Sequence, residues 1–229
     1  TDPENLVTNG PFRLESWRRG ESMMVGLDPG YDRPVYGNIQ QVQMFFLPDA
    51  ETDLVMYQAG LLDVIDLSGF SLPKLGDIQR RYSDEFRSFS SFGLDCLIFQ
   101  TSRPPFDDPL VRRALVHAVD IDVLANEVLK GYELPASRGL FPAGFPGHSS
   151  GVVLAHDPER ARELLAKAGY QAGRGLPVVE LVAGGAPGTP EWNRRTGFNT
   201  AIVDYLSDQW RTVLGADVDV KMVSFPALR

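Results

Sequence analysis

The side chains that most often ligate metals or act as nucleophiles are scarce in this sequence: three histidines, His117, His148 and His156, and one cysteine, Cys96. No two of the histidines stand at the spacing of a metal-binding pair, and a single thiol does not complete a zinc or nickel site, so no metal and no other cofactor is expected. Nucleophilic catalysis fares no better. Gly147-His148-Ser149-Ser150-Gly151 has the letters of the serine elbow Gly-x-Ser-x-Gly, but it lies inside a Pro-, Gly- and Ser-rich stretch without the strand and helix that such an elbow joins. Ser71-Leu72-Pro73-Lys74 matches Ser-x-x-Lys, but Pro73 interrupts it, and Ser71 reads better as the N-cap of a helix starting at Leu72. Gly184-Gly185-Ala186-Pro187-Gly188 lacks the Gly-Lys-Ser/Thr ending of a phosphate loop and is read as a strand–helix connection. Asp107-Asp108 and the Asp120/Asp122 pair have the chemistry for calcium or acid–base work, yet no EF-hand loop surrounds them; helix capping accounts for both. Asp63 and Asp66 flank buried positions of an expected strand and face either solvent or a cleft. No catalytic residue is expected, and an enzyme is not the leading reading.

The elements that position these groups follow from apolar periodicity and its punctuation. Phe12 and Leu14, then Met24 to Leu27, flank Arg19-Gly20 and predict a hairpin. Val42 to Leu47 reads as a strand, Pro48-Asp49 opens a helix that Gly60 ends, and Leu62 to Leu67 reads as a second strand. That order implies a right-handed crossover between parallel strands. Leu72 to Arg81 predicts a short, weakly held surface helix. Phe86 to Phe92 and Leu94 to Phe99 read as strands bent at Gly93, with Cys96 a buried, inert thiol. Pro104-Pro105 stops the second of them.

Asp108-Pro109 is then an N-cap followed by proline at the first helical position, and Val111, Leu115, Ala118 and Val119 share one face. His117 is expected on that helix, partly exposed. Asp120 caps another helix, with Leu124, Val128 and Leu129 inward and Gly131 closing it. Pro135 to Gly151 is rich in Pro, Gly and Ser and is expected to be a long loop, a class that is often functional. Asp157-Pro158 caps a helix with Ala161, Leu164, Leu165 and Ala168 inward and a Glu163–Lys167 pair outward. Pro177 to Ala183, Phe198 to Leu214 and Val218 to Val223 form a second strand–helix–strand unit. The fold class is α/β, a mixed sheet with flanking helices.

Four stretches resemble one family, in the order that family has them. They are NLVTNGPFRLESW (Asn5 to Trp17), LPDAETDLVMYQAGLLDVIDL (Leu47 to Leu67), TSRPPFDDPLVRRAL with AVDIDVL and GY (Thr101 to Tyr132), and AHDPERARELLAKAGY (Ala155 to Tyr170). Together they are similar to the extracellular solute-binding proteins of ABC transporters, family 5, the oligopeptide/dipeptide/nickel-binding group. The resemblance implies one lobe of a two-lobed, periplasmic-binding-protein-like (type II) fold. Residues 1–11 would be a hinge-proximal segment and residues 12–229 a single α/β lobe. It implies a substrate-binding component of an ABC importer that captures peptides or similar small solutes and delivers them to a membrane permease. The place would be the periplasmic or extracellular face of the cytoplasmic membrane, with a signal or lipoprotein leader outside these residues. The alternative from another class is an α/β enzyme domain, hydrolase- or transferase-like, sharing the strand–helix pattern.

Two segments are candidates for ligand contact. In relatives the stretch matching Ser91 to Ile98 borders the peptide cleft, which makes Phe92, Asp95 and Cys96 candidates; an ordinary core strand is the competing account. In LFPAGFP (Leu140 to Pro146), Phe141 and Phe145 are held between prolines and present aromatic surface at little ordering cost, unless the rings pin the loop to its own domain. The family's Arg-Asn-Pro-x-Tyr-Trp pattern is replaced here by Gly26 to Asp32, GLDPGYD. A formal charge of −8 with no basic run argues against a nucleic-acid partner. No apolar stretch is long enough for a spanning helix.

Overall fold

The computed structural model describes residues 6–89, 93–135, 145–148, 154–185 and 196–224, with side chains at 196 and 197 left aside. The chain divides into two compact units, Thr1–Asp66 and Leu67–Arg229.

In the first unit β1 (Phe12–Arg18), β2 (Ser22–Leu27) and β3 (Gln41–Phe45) form an antiparallel sheet in that order. The expected hairpin turns where Gly20 takes φ +76° and Glu21 N–H donates to Arg18 C=O at 3.0 Å. Leu14 stands opposite Val25 and Val25 opposite Val42, while Trp17 pairs with Met23 and Met23 with Met44. Strand side chains alternate, so Leu14 and Trp17 would fall on opposite faces; a bulge between Leu14 and Ser16 restores them to one. One face thus carries Phe12, Leu14, Trp17, Met23, Val25, Leu27, Val42 and Met44. None of these is fully buried, and Trp17 remains 41% exposed. On the other face the Glu15 carboxylate accepts from Gln41 Nε2 at 2.8 Å and lies over Gly26, where any Cβ would collide with it.

Helix α1 (Ala50–Gln58) starts as the sequence predicts. Asp49 Oδ1 accepts from Thr52 N–H at 2.8 Å and Oδ2 from the Thr52 hydroxyl at 3.0 Å. It ends with Gly60 at φ +72°, Gly60 N–H donating to Tyr57 C=O and Leu61 N–H to Met56 C=O, a paired closure that satisfies two terminal carbonyls. The strand expected at Leu62 to Leu67 does not form: these residues enter no ladder, Val64 is 84% exposed, and a 3-10 turn occupies Leu67–Gly69. The first strand–helix–strand unit is therefore not present. An apolar run becomes a strand only where a neighbour takes its backbone groups, and here none does.

The second unit opens with α2 (Leu72–Arg81). Leu75, Ile78 and the preceding Phe70 are buried, and Tyr132 O–H donates to Gln79 Oε1 at 2.7 Å, so the helix is anchored rather than weakly held. Ser71 stands at the N-cap position, but its hydroxyl makes no cap bond. The core is built by α3 (Pro109–His117), α5 (Pro158–Lys167) and α6 (Thr196–Leu214) around β4 (Val179–Gly184) and β5 (Val218–Val223). The two strands pair in parallel, Val179 with Val218 through Gly184 with Val223, with α6 as the expected crossover. Val179, Leu181 and Val218 turn toward Val111, Leu115, Leu164, Leu165, Val203, Trp210 and Leu214, all buried. Asp108 accepts from Leu110 N–H at 2.7 Å and Asp157 from Arg160 N–H at 2.9 Å, as N-caps before prolines. Glu163 pairs with Arg160 at 3.0 Å in place of the Lys167 partner its spacing offers. Between α3 and α5, α4 (Ile121–Val123) runs into a π-helical turn, Leu124–Val128, closed by Lys130 and Gly131 at φ +56° and +75°.

The strand pair expected around Gly93 is also not seen in the described residues. Residues 86–89 and 93–100 form no strand, and Phe92 lies outside the described set.

Candidate functional site

Residues 93–98 are exposed along their whole length although three of the six are large and apolar: Leu94 and Leu97 by about two fifths, Ile98 by 84%. The run then dives inward. Phe99 packs against the core and its ring centroid lies 5.5 Å from that of Phe106. The segment is thus packed inward at its C-terminal end and exposed before it. Asp95 and Cys96 both sit on this open stretch. Cys96, read from the sequence as buried, is exposed, and among the described residues no sheet forms to cover it. Of the loop candidates, Phe145 is described and 38% exposed, its C=O accepting from His148 N–H at 3.0 Å. Phe141 lies outside the described residues, as does most of the stretch from Pro135 to Gly151.

The polar groups with the chemistry for other roles are engaged in holding the fold. His117 is buried, contrary to its expected partial exposure. Its Nδ1 lies 2.7 Å from Ala155 C=O, and since a carbonyl only accepts, Nδ1 carries the proton. Its own carbonyl accepts from Asp157 N–H at 2.9 Å. His156 Nδ1 stands 3.2 Å from Asp120 Oδ2, while Asp120 Oδ1 caps α4 through Asp122 and Val123 N–H. Tyr205 O–H donates to Asp120 C=O at 3.0 Å. Burial, and then the carboxylates of Asp120 and Glu127, push the Tyr205 phenol above its ordinary range. Three consecutive residues, Ala155 to Asp157, are thereby fastened to the corner between α3 and α4. Histidine periodicity alone gave no sign of this fastening, because its acceptors are a backbone carbonyl and a helix cap far away in sequence.

In the first unit Asp49 is held below its usual carboxylate range by the Thr52 bonds. Burial, followed by the Asp49 and Asp66 charges, raises Asp53. Asp63 and Asp66 are exposed. Among the described residues no group of three or more His, Cys, Asp or Glu is gathered to hold a metal. No helix there is long and apolar enough to cross a membrane.

The chain matches the family model "Bacterial extracellular solute-binding proteins, family 5 Middle" over residues 1–229. Among curated relatives it is 28% identical over 229 residues to the probable deoxycholate-binding periplasmic protein YgiS of Escherichia coli K12, covering 97% of this chain and 40% of that protein. It is 23% identical over 223 residues to the oligopeptide-binding protein OppA of Bacillus subtilis, covering 95% and 39%. In three dimensions it is similar to a periplasmic oligopeptide-binding protein of Borrelia burgdorferi, with a TM-score of 0.70 and 24% identity over 99% of this chain and 43% of that one. NikA of Brucella suis, in complex with Fe(III)-EDTA, gives a TM-score of 0.73 at 22% identity over 96% and 44%. The chain therefore spans about two fifths of the relatives it matches. The fold is the mixed α/β fold of periplasmic binding proteins, as the sequence motifs implied, and the family consists of transport binding proteins, which sets aside the enzyme alternative. The chain belongs to the bacterial extracellular solute-binding proteins, family 5.

Proposed function

We propose that this chain forms part of the substrate-binding component of an ABC importer, which captures a small peptide or similar solute between two lobes and hands it to a membrane permease. The observation that carries the reading within the family frame is the open stretch 93–98, apolar at Leu94, Leu97 and Ile98, polar at Asp95, and tethered by Phe99 to the core. An exposed segment of this kind presents apolar and acidic side chains to a ligand. Phe92, Asp95 and Cys96 are the proposed contacts there, with Phe141 and Phe145 from the later loop. Residues 12–229 are proposed as one lobe and residues 1–11 as its approach to the hinge. The protein acts outside the cytoplasmic membrane, as the periplasmic relatives do, with a leader that directs or anchors it.

Closure of such a receptor is driven by the ligand's greater affinity for the closed state. One wall alone therefore binds weakly. The test is mass spectrometry of ligand retained by the full-length protein, followed by calorimetric titration with mixed di- to pentapeptides. A retained peptide or small solute, bound by the full-length protein and poorly by this chain, is expected. Micromolar peptide binding by residues 1–229 alone would overturn the two-wall account, and a full-length protein that retains and binds no small solute would overturn the receptor itself.

A further inference from the structure

We draw no further inference here: the strongest candidate, the half-exposed apolar face of the β1–β2–β3 sheet bearing Leu14, Trp17, Met23, Val25, Val42 and Met44, carries nothing because nothing in the structure shows what covers it.

Discussion

Trp210→Phe tests how the centre of the second unit is held. The indole is 2% exposed, and its Nε1–H donates to Leu115 C=O at 2.9 Å. That carbonyl lies in the last turn of α3, where helix geometry leaves acceptors without intrahelical partners. Val119 N–H, which would reach it in a continuing helix, donates to Val116 C=O instead. Phenylalanine preserves most of the apolar contact but removes the donor, leaving the Leu115 carbonyl buried and unsatisfied, at a cost of about 1–3 kcal/mol. The smaller ring adds a packing defect of roughly 1 kcal/mol. The sum, about 2–4 kcal/mol, corresponds to a fall in Tm of roughly 4–16 °C for a unit of this size. Urea unfolding followed by far-UV circular dichroism, with the m-value held as a check on two-state behaviour, measures it. Trp17→Phe, at an exposed site of the sheet, is the matched control and is expected within about 0.5 kcal/mol of wild type. If Trp210→Phe unfolds together with that control, the indole is not what satisfies the Leu115 carbonyl and the reasoning fails.

Gly215 takes φ +66°, and a Cβ there would lie 2.7 Å from Ala172 C=O, while one on Gly173 would overlap the Gly215 carbonyl. Gly215→Ala is expected to cost about 2–4 kcal/mol in urea unfolding, backbone strain plus overpacking; Gly131→Ala, at positive φ but in open space, is expected to cost only the strain. Asp108→Ala removes an N-cap bond and is expected to lower stability by about 1 kcal/mol, whereas Ser71→Ala, which removes no cap bond, leaves the melting curve in place. The pH dependence follows from Tyr205, whose phenol is raised in the folded state. The unfolded chain releases this proton first, so the contribution is complete below the phenol's ordinary value of 10.0 and is lost as pH rises through the higher folded value. Alkaline destabilisation is therefore expected to be shallower in Tyr205→Phe than in wild type when urea midpoints are compared on either side of pH 10, and equal slopes would contradict the assignment.

What the sequence revealed divides along a physical line. Helices carry their own backbone hydrogen bonds and announce their starts locally, so Asp108, Asp120 and Asp157 were readable as caps and Pro48-Asp49 as a helix opening, and each of these four aspartates makes a capping bond. The β4–α6–β5 unit was readable because each strand has the other as a neighbour. Leu62 to Leu67 and Leu94 to Phe99 have equally apolar compositions and form no strand, since pairing is a property of the surroundings and not of the run. The same cause misplaced Cys96. His117 was misjudged for a different reason: its acceptor, Ala155 C=O, lies 38 residues away, and no helical periodicity encodes it. For the candidate site, the choice of segment rests on family resemblance, while the side chains that select a solute are a matter of cleft shape that scaffold motifs do not specify.

The surplus residue in β1 makes the hairpin a counting device. Because Glu15 is the one residue beyond regular alternation between Leu14 and Trp17, taking it out would leave those two side chains two places apart, still on the oily side, with Ser16 and Trp17 still opposite Met24 and Met23. A one-residue loss is therefore tolerable at the bulge, and relatives whose first strand is one residue shorter at this place should keep the same side-chain polarity beyond the gap.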